Sequence, residues 1–132
     1  MAQVTLEQLT ADIWVVSLLG EHDVSMVDAL RDRLTEAFSN DARLIIDLAD
    51  TTFIDSTVLG VLFTVIKQAT SAAGEPLALV VTPGSTVDQT ITLAGFTPLI
   101  VATYPSRDQV LTAWRQRVHD GRPDPRGSEQ RS

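Results

Sequence analysis

The chain has 132 residues, of which 44% are hydrophobic, and it carries a formal net charge of −7. A chain of this size and composition forms one ordinary domain with a core. The acidic balance argues against nucleic acid or an anionic membrane as the main partner, because both favour clustered Lys and Arg. There is no cysteine, which excludes disulfides and thiolate metal sites.

The ends of the chain carry further information. Its start lacks a basic region followed by an apolar run, so no signal peptide is predicted. No stretch of about 18 apolar residues exists, so no membrane span is expected. We therefore predict a soluble, cytoplasmic protein. Residues 1–119 are predicted to form the domain, and residues 120–132, which are polar and rich in Pro and Gly, a disordered tail.

The first part of the chain predicts a hairpin and a helix. Residues 4–9 and 13–20 are short β-type runs joined by a turn-like segment, which favours antiparallel pairing. Apolar residues then recur at helical spacing over residues 25–38. Ser25, with Asp28 three residues later, resembles a capping box at the start of this helix.

Strands and helices alternate through the rest of the domain. The segments are a buried strand at 43–48, a helix at 58–69, a strand at 77–81, a short helix at 85–95, a strand at 98–103 and a last helix at 106–118, with Ser106 and Gln109 as a capping box. This alternation implies parallel pairing through βαβ crossovers. The predicted fold is α/β, with a small, mixed and mostly parallel sheet of about five strands and about four α-helices.

Three small polar residues, Asp55, Ser56 and Thr57, separate the buried strand from the helix after it. Asp and Ser are common before helices because their side-chain oxygens accept free backbone N–H groups, so capping alone accounts for them. Two arguments favour a functional role instead. Loops at the carboxyl ends of parallel strands carry function, and a helix N-terminus favours negative charge such as a phosphate.

The helix after this trio divides into two faces at about 100° per residue. One side of this helix, the second along the chain (α2), carries Ser56, Gly60, Thr64, Lys67 and Ser71, and we call it the α2 strip. Val58 points to the opposite side, which is the predicted core face. Phe63 lies beside Ser56, and Leu59 and Val61 mark the edges of the core face. A small, smooth strip with apolar margins is typical of a docking surface. The alternative is that the sheet or the last helix covers Phe63 and Val61.

The sequence gives little support to an enzymatic function. Ser56 as a nucleophile needs a base, and His22 and His119 are the only histidines. There is no G-x-S-x-G elbow and no Gly-rich phosphate loop, and the aspartates lack metal-loop spacing. We therefore predict no catalytic residue, no metal and no cofactor. A small hydrolase that uses Ser56 with His22 stays as an alternative.

Three segments resemble STAS domains, and most closely the bacterial anti-sigma-factor antagonists. "IIDLADTTFIDSTVLGVLFTVIKQATSAAG" is similar to the family core, whose pattern is F-[IM]-D-S-[ST]-G-L-G after a "D-L" strand. "LLGEHDVSMVDAL" is similar to the "G-E-[LI]-D" segment, and "GFTPLIVATYPSRDQVLTAW" to the ending. The resemblance covers roughly residues 4–115. The block from Phe53 to Thr57 is the specific part.

The resemblance implies a regulatory function. The unmodified protein would bind an anti-sigma factor that is also a serine kinase, and would so free a sigma factor. The kinase would phosphorylate Ser56, with Thr57 as second choice, which releases the partner, and a phosphatase would reset the switch. Asp55 would shape the site, and Asp23 would lie in a neighbouring loop. The predicted partner surface comprises Asp23, Asp55, Ser56, Thr57, Gly60, Phe63, Thr64 and Lys67, with no nucleic acid, membrane or small-molecule ligand expected.

One residue departs from the family pattern. Val58 stands where the pattern has Gly, and Val is stiff and β-branched whereas Gly lets another surface approach closely. If the family Gly leaves room for the kinase, Val58 would slow phosphorylation or change the partner. The alternative function is a STAS interaction module of a transporter or larger regulatory complex that is never phosphorylated.

Overall fold

The computed structural model describes residues 2–38, 43–73, 77–96 and 101–119. Strands and helices alternate over these residues, which confirms the predicted α/β class. The strands are β1 (Gln3–Thr10), β2 (Ile13–His22), β3 (Arg43–Asp47), β4 (Thr51–Ile54), β5 (Leu77–Val80) and β6 (Ala102–Tyr104), and the helices are α1 (Val27–Phe38), α2 (Ser56–Ala73), α3 (Thr86–Leu93) and α4 (Arg107–His119). A 3-10 turn at Val24–Met26 leads into α1.

The sheet has the order β1-β2-β3-β5-β6, and β4 pairs with the end of β2 beside this path. β1 and β2 form the predicted antiparallel hairpin, with Val4 opposite Leu18. All other pairs in the described residues are parallel, as crossovers through helices require. The carboxyl ends of β2, β3, β4 and β5 therefore point the same way.

The two faces of the sheet carry separate apolar clusters, because successive side chains of a strand point to opposite sides. Val16 and Leu18 of β2 belong to the larger cluster, together with residues of α1, α2 and α3. Val15 faces the other side and packs with Val110 and Trp114 of α4. Burying each such side chain stabilises the fold by about 1.5–3 kcal/mol.

α2 begins at Ser56, two residues before the predicted start, and the observed elements differ from the predicted ones in two further places. β4 was not predicted from the sequence. It has only four residues, which are buried at both ends and exposed at the centre. It therefore lacks the alternation by which longer strands are recognised. The prediction that Ser25 caps α1 is wrong. Asp23 caps the preceding 3-10 turn by accepting the Ser25 N–H, and α1 begins at Val27.

The second half of the chain follows the prediction more closely. Ser106 caps α4, since its Oγ accepts the N–H of Gln109 at 3.2 Å. The predicted strand at 98–103 lies within the described residues only at its end, where β6 begins at Ala102. The predicted tail at 120–132 lies outside the described residues. None of the described helices is both long and apolar enough to cross a membrane.

Arg107, the first residue of α4, ties this helix to three strands. Its Nε donates to Asp47 Oδ2 at 2.6 Å, its Nη2 to Ser17 Oγ at 2.9 Å and its Nη1 to Glu7 Oε1 at 3.2 Å. The Asp47 side chain is only 12% exposed. Removing the guanidinium leaves that carboxylate without its charged donor, which is costly for a group largely shielded from water.

We therefore expect Arg107→Ala to lower the free energy of unfolding by about 2 kcal/mol, measured by urea denaturation. Arg33→Ala is the matched control, because its ion pair with Glu36 joins side chains that are 48% and 53% exposed. That control should change stability by less than about 0.5 kcal/mol. Equal losses in the two variants would contradict the account of α4 anchoring.

Candidate functional site

The candidate site forms where β2 and β4 end side by side. His22 of β2 lies opposite Ile54 of β4, so the residues that follow, Asp23 and Asp55, leave the sheet at the same edge. The backbone N–H of Asp55 donates to the carbonyl oxygen of His22 at 3.0 Å. Two loops that are distant in sequence are therefore joined by a backbone hydrogen bond.

Asp55 caps α2, so the Ser56 hydroxyl does not act as the cap. Asp55 Oδ1 accepts the N–H of Thr57 at 2.7 Å and that of Val58 at 3.4 Å. Its own carbonyl oxygen accepts the N–H of Leu59 at 3.0 Å. These bonds satisfy N–H groups that a helix start leaves free. Ser56 is the exposed first residue of α2, and its hydroxyl makes no hydrogen bond within the described residues.

The neighbouring loop presents a carboxylate to solvent. Asp23 Oδ1 accepts both the Oγ–H of Ser25 at 2.5 Å and its backbone N–H at 3.0 Å. These hydrogen bonds, that from the hydroxyl first, lower the pKa of Asp23 below its ordinary value. The exposed Asp23 carboxylate is therefore held ionised beside the start of α2, which adds to the acidic character of this edge.

The α2 strip is exposed at the residues whose burial the structure describes, as the helical spacing predicts. Gly60, Thr64 and Lys67 are all exposed, and a Cβ built on Gly60 meets no atom within 4 Å. Thr64 donates its hydroxyl to the Gly60 carbonyl oxygen at 3.0 Å, so this hydroxyl is satisfied within the helix. At Gly60 the strip therefore offers another molecule close approach to the helix backbone.

The margins of the strip are less apolar than predicted. Phe63 is half-buried, with its ring centre 5.8 Å from that of Phe96 and 5.4 Å from Lys67 Nζ. Val61 is only 8% exposed and belongs to the larger apolar cluster, so the fold covers it. The last helix, one of the two covers considered, packs on the opposite face of the sheet. Phe63 therefore offers only part of its ring to a partner.

Val58 lies in the core, as predicted. Its side chain is 0% exposed and belongs to the larger apolar cluster. The side chain therefore points away from the solvent into which the neighbouring Ser56 projects, and it does not cover the Ser56 hydroxyl.

A groove of about 420 Å³ runs between α1 and α2, next to the strip. Its apolar lining comes from Leu34, Val61 and Val65, and its polar lining from Arg31, Thr35, Thr57, Gly60, Thr64 and Gln68. Thr57 faces this groove, whereas Ser56 does not line it. The two adjacent hydroxyl residues thus present themselves to different surroundings.

Two exposed apolar residues flank the site, and their exposure was not predicted from the sequence. Phe53, in β4, is 49% exposed, and Val24, which follows Asp23, is 63% exposed. Phe53 precedes the trio by two positions, but without an assigned β4 the sequence gives no facing direction for it. Exposed apolar side chains beside a polar site are typical of surfaces that bind proteins.

His22 does not act on Ser56 in this structure. The His22 side chain is 0% exposed, its Nε2 lies 3.1 Å from the Leu19 carbonyl oxygen, and its Nδ1 has no hydrogen-bond partner in the described part of the chain. The structure thus forms no Ser56–His22 pair of the kind a serine hydrolase uses. Among the described residues, no group of three or more His, Cys, Asp or Glu side chains is placed to hold a metal ion.

A mostly parallel sheet, with an exposed serine after a capping aspartate at its edge, defines a class of small α/β domains. Residues 6–110 match the STAS domain family, and the chain belongs to this family. The chain is also similar to solved anti-sigma factor antagonists. One from Mycobacterium paratuberculosis has 26% identity and a TM-score of 0.75, over 87% of this chain and 95% of that one.

Three further structures share the fold at lower identity. A putative anti-sigma factor antagonist from Thermotoga maritima has 19% identity and a TM-score of 0.71, over 85% of this chain and 94% of that one. The antagonist SpoIIAA in its unphosphorylated form has 17% identity and a TM-score of 0.64, over 86% of this chain and 98% of that one. A structure of phosphorylated SpoIIAA, a Bacillus cell fate determinant, is similar too, at 16% identity and a TM-score of 0.64, over 86% of this chain and 100% of that one.

Proposed function

We propose that this chain is a cytoplasmic anti-sigma-factor antagonist. Its unphosphorylated form binds an anti-sigma factor that is also a serine kinase, and the sigma factor is thereby freed. The observation that carries the proposal is the exposed Ser56 hydroxyl at the first residue of α2, directly after the capping Asp55. The 26% identity to the mycobacterial antagonist over most of both chains supports it.

The partner surface is proposed to centre on Ser56 and the α2 strip. Asp23 and Asp55 border it through the joined loops, Thr57 and Phe63 lie beside it, and Gly60 permits close contact. Phe53 and Val24, which are exposed next to the same loops, extend it with apolar area. Such surfaces gain affinity from a few buried contacts at their centre, with polar residues around them.

Phosphorylation of Ser56 is proposed to release the partner. The kinase transfers the γ-phosphoryl group of ATP to Ser56 Oγ, ADP leaves, and the hydroxyl proton is lost. The phosphate adds about −1.5 to −2 charge. The domain tolerates this charge because Ser56 is exposed and the helix start favours anions, but a partner seated on it faces desolvation and repulsion. A phosphatase restores the binding form.

Val58 is compatible with this switch. The side chain is fully buried, so a kinase that approaches Ser56 from solvent does not meet it. What the Val removes is the backbone freedom that Gly has at this position. A rigid helix start still presents the Ser56 hydroxyl, and phosphorylation at Ser56 is proposed on that basis.

Capture of partners from the cells that produce this chain tests the function. We expect an anti-sigma factor with a kinase domain to be recovered with the wild-type chain and to be lost with the phosphate-mimicking Ser56→Asp. The observation in favour of the alternative, a STAS module of a transporter or larger complex, is the family Gly replaced by Val58. Recovery of a transporter subunit, equally with both chains, supports that alternative.

A further inference from the structure

The buried His22 lies beneath the proposed partner surface and has no part in the function described so far. It is the last residue of β2, and its side chain is 0% exposed. An apolar residue fills such a position without cost, whereas an imidazole brings two polar nitrogens that need partners. The choice of histidine here therefore calls for a physical explanation.

The hydrogen bond of the His22 side chain determines which nitrogen carries the hydrogen in the neutral imidazole. A carbonyl oxygen only accepts, so the 3.1 Å contact between Nε2 and Leu19 O places the hydrogen on Nε2. Nδ1 then carries the lone pair, and it has no partner among the described residues. Protonating Nδ1 places a positive charge in a buried position, which is costly even though the Leu19 and Gln3 backbones favour the charged form.

The surroundings of His22 offset that charge only in part, because desolvation outweighs the Leu19 and Gln3 backbone groups that favour the charged imidazole. Asp23 is the carboxylate that favours the charged imidazole, but its oxygen is engaged with Ser25. β4 and the first turn of α2 carry no charged residue, and Asp28 in the first turn of α1 is exposed. The Asp55 carboxylate caps α2, and Glu21 is exposed.

The backbone of His22 connects this side chain to the partner surface. Its carbonyl oxygen accepts the N–H of Asp55, its strand position pairs with Ile54, and Asp23 follows it. A disturbance of the imidazole therefore reaches both loops of the site through one residue. We propose that His22 is a proton-sensitive positioning residue, which holds the Asp23 and Asp55 loops together when neutral and loosens them when protonated.

The direction of the pH dependence follows from burial. Desolvation lowers the pKa of His22 below its ordinary 6.5, against the opposing effects of the Leu19 and Gln3 backbones and of Asp23. The loosened chain therefore binds the proton more tightly than the assembled one. Above pH 6.5 the equilibrium between the two states lies fully in favour of the assembled state. As the pH falls from 6.5 to the lowered pKa, the equilibrium constant for the assembled state decreases by up to about tenfold per pH unit.

The first test uses the chain alone and so does not depend on the proposed function. NMR of the histidine side chains from about pH 7.5 to about pH 5 should show His22 as the Nε2–H tautomer with a pKa below 6.5, with His119 assigned by His119→Gln. The backbone N–H of Asp55 should lose protection as His22 titrates. A His22 pKa at or above 6.5, or unchanged Asp55 protection throughout, would overturn the proposal.

The second test rests on the proposed function and measures affinity for the anti-sigma factor over the same pH range. Wild type should lose affinity below pH 6.5 by up to about tenfold per unit, and His22→Leu, which cannot be protonated, should not. An identical pH dependence in both chains would overturn the coupling to the partner. If no anti-sigma factor binds at any pH, the proposed function fails while the NMR result on the chain alone stands.

Discussion

Ser56→Ala is expected to accept no phosphate from the cognate kinase and ATP, whereas the wild-type chain gains a single phosphate group. The variant removes the hydroxyl that attacks the γ-phosphoryl group, and alanine offers no substitute nucleophile. Its fold should be unchanged, because the cap of α2 is Asp55 and not Ser56. Intact-protein mass spectrometry, followed by peptide mapping, measures the transfer.

Thr57→Ala is the matched control for that experiment. Thr57 is also exposed, and it lies one residue further along α2, where it lines the groove towards α1. We expect it to keep phosphorylation at Ser56. Undiminished transfer to Ser56→Ala, together with loss in Thr57→Ala, would move the acceptor to Thr57 and contradict the site assignment.

Gly60→Gln is expected to raise the stability of the chain and to lower its affinity for the partner. A Cβ at Gly60 meets nothing within 4 Å, and replacing Gly in an exposed helix interior stabilises the helix by about 0.5–1 kcal/mol. The same side chain stands in the centre of the α2 strip. If a partner seats closely there, its affinity should fall by about tenfold or more, which corresponds to about 1.4 kcal/mol. Calorimetric titration and urea denaturation measure the two quantities.

Thr112→Gln is the control for added bulk. Thr112 is exposed on α4, and α4 packs on the opposite face of the sheet from α2. We expect its affinity for the anti-sigma factor to match that of wild type, with a stability change within about 0.5 kcal/mol. Equal affinities for Gly60→Gln and wild type would show that the partner does not contact the strip.

Local patterns predict much of this fold because the signals agree with one another. α2 has an apolar face, no proline and an aspartate before its first residue, and the exposed and buried positions of Gly60, Thr64 and Val58 follow from its spacing. β2 alternates between two buried faces and is flanked by a turn. Such segments are recognisable because propensity, periodicity and capping point to the same structure.

The parts that the sequence does not predict depend on long-range contacts. β4 is too short to show a period, and it is a strand because the end of β2 supplies its hydrogen bonds. The meeting of Asp23 and Asp55 comes from that same pairing. Burial of His22 is equally a tertiary effect, since a histidine between Glu and Asp in the sequence looks like part of a polar loop.

The candidate site shows the same division. The role proposed for Ser56 comes from the resemblance to the STAS family, and the helix start gives a physical reason why a charged group would be tolerated there. The exposure of Phe53 and Val24 could not be anticipated, because it depends on how β4 and the 3-10 turn lie against the helices. Helical spacing alone also placed Val61 at the margin of the strip. In the structure, Val61 packs against the core and is buried.

The central claim is that one phosphate on Ser56 switches binding of the anti-sigma factor. It is tested most directly by titrating the unmodified chain and the chain phosphorylated at Ser56 into the complex of sigma factor and anti-sigma factor, and measuring the sigma factor released. We predict release by the unmodified chain, and at least about tenfold weaker action by the phosphorylated chain, with similar melting temperatures. Equal release by the two forms, or none by either, would contradict the account.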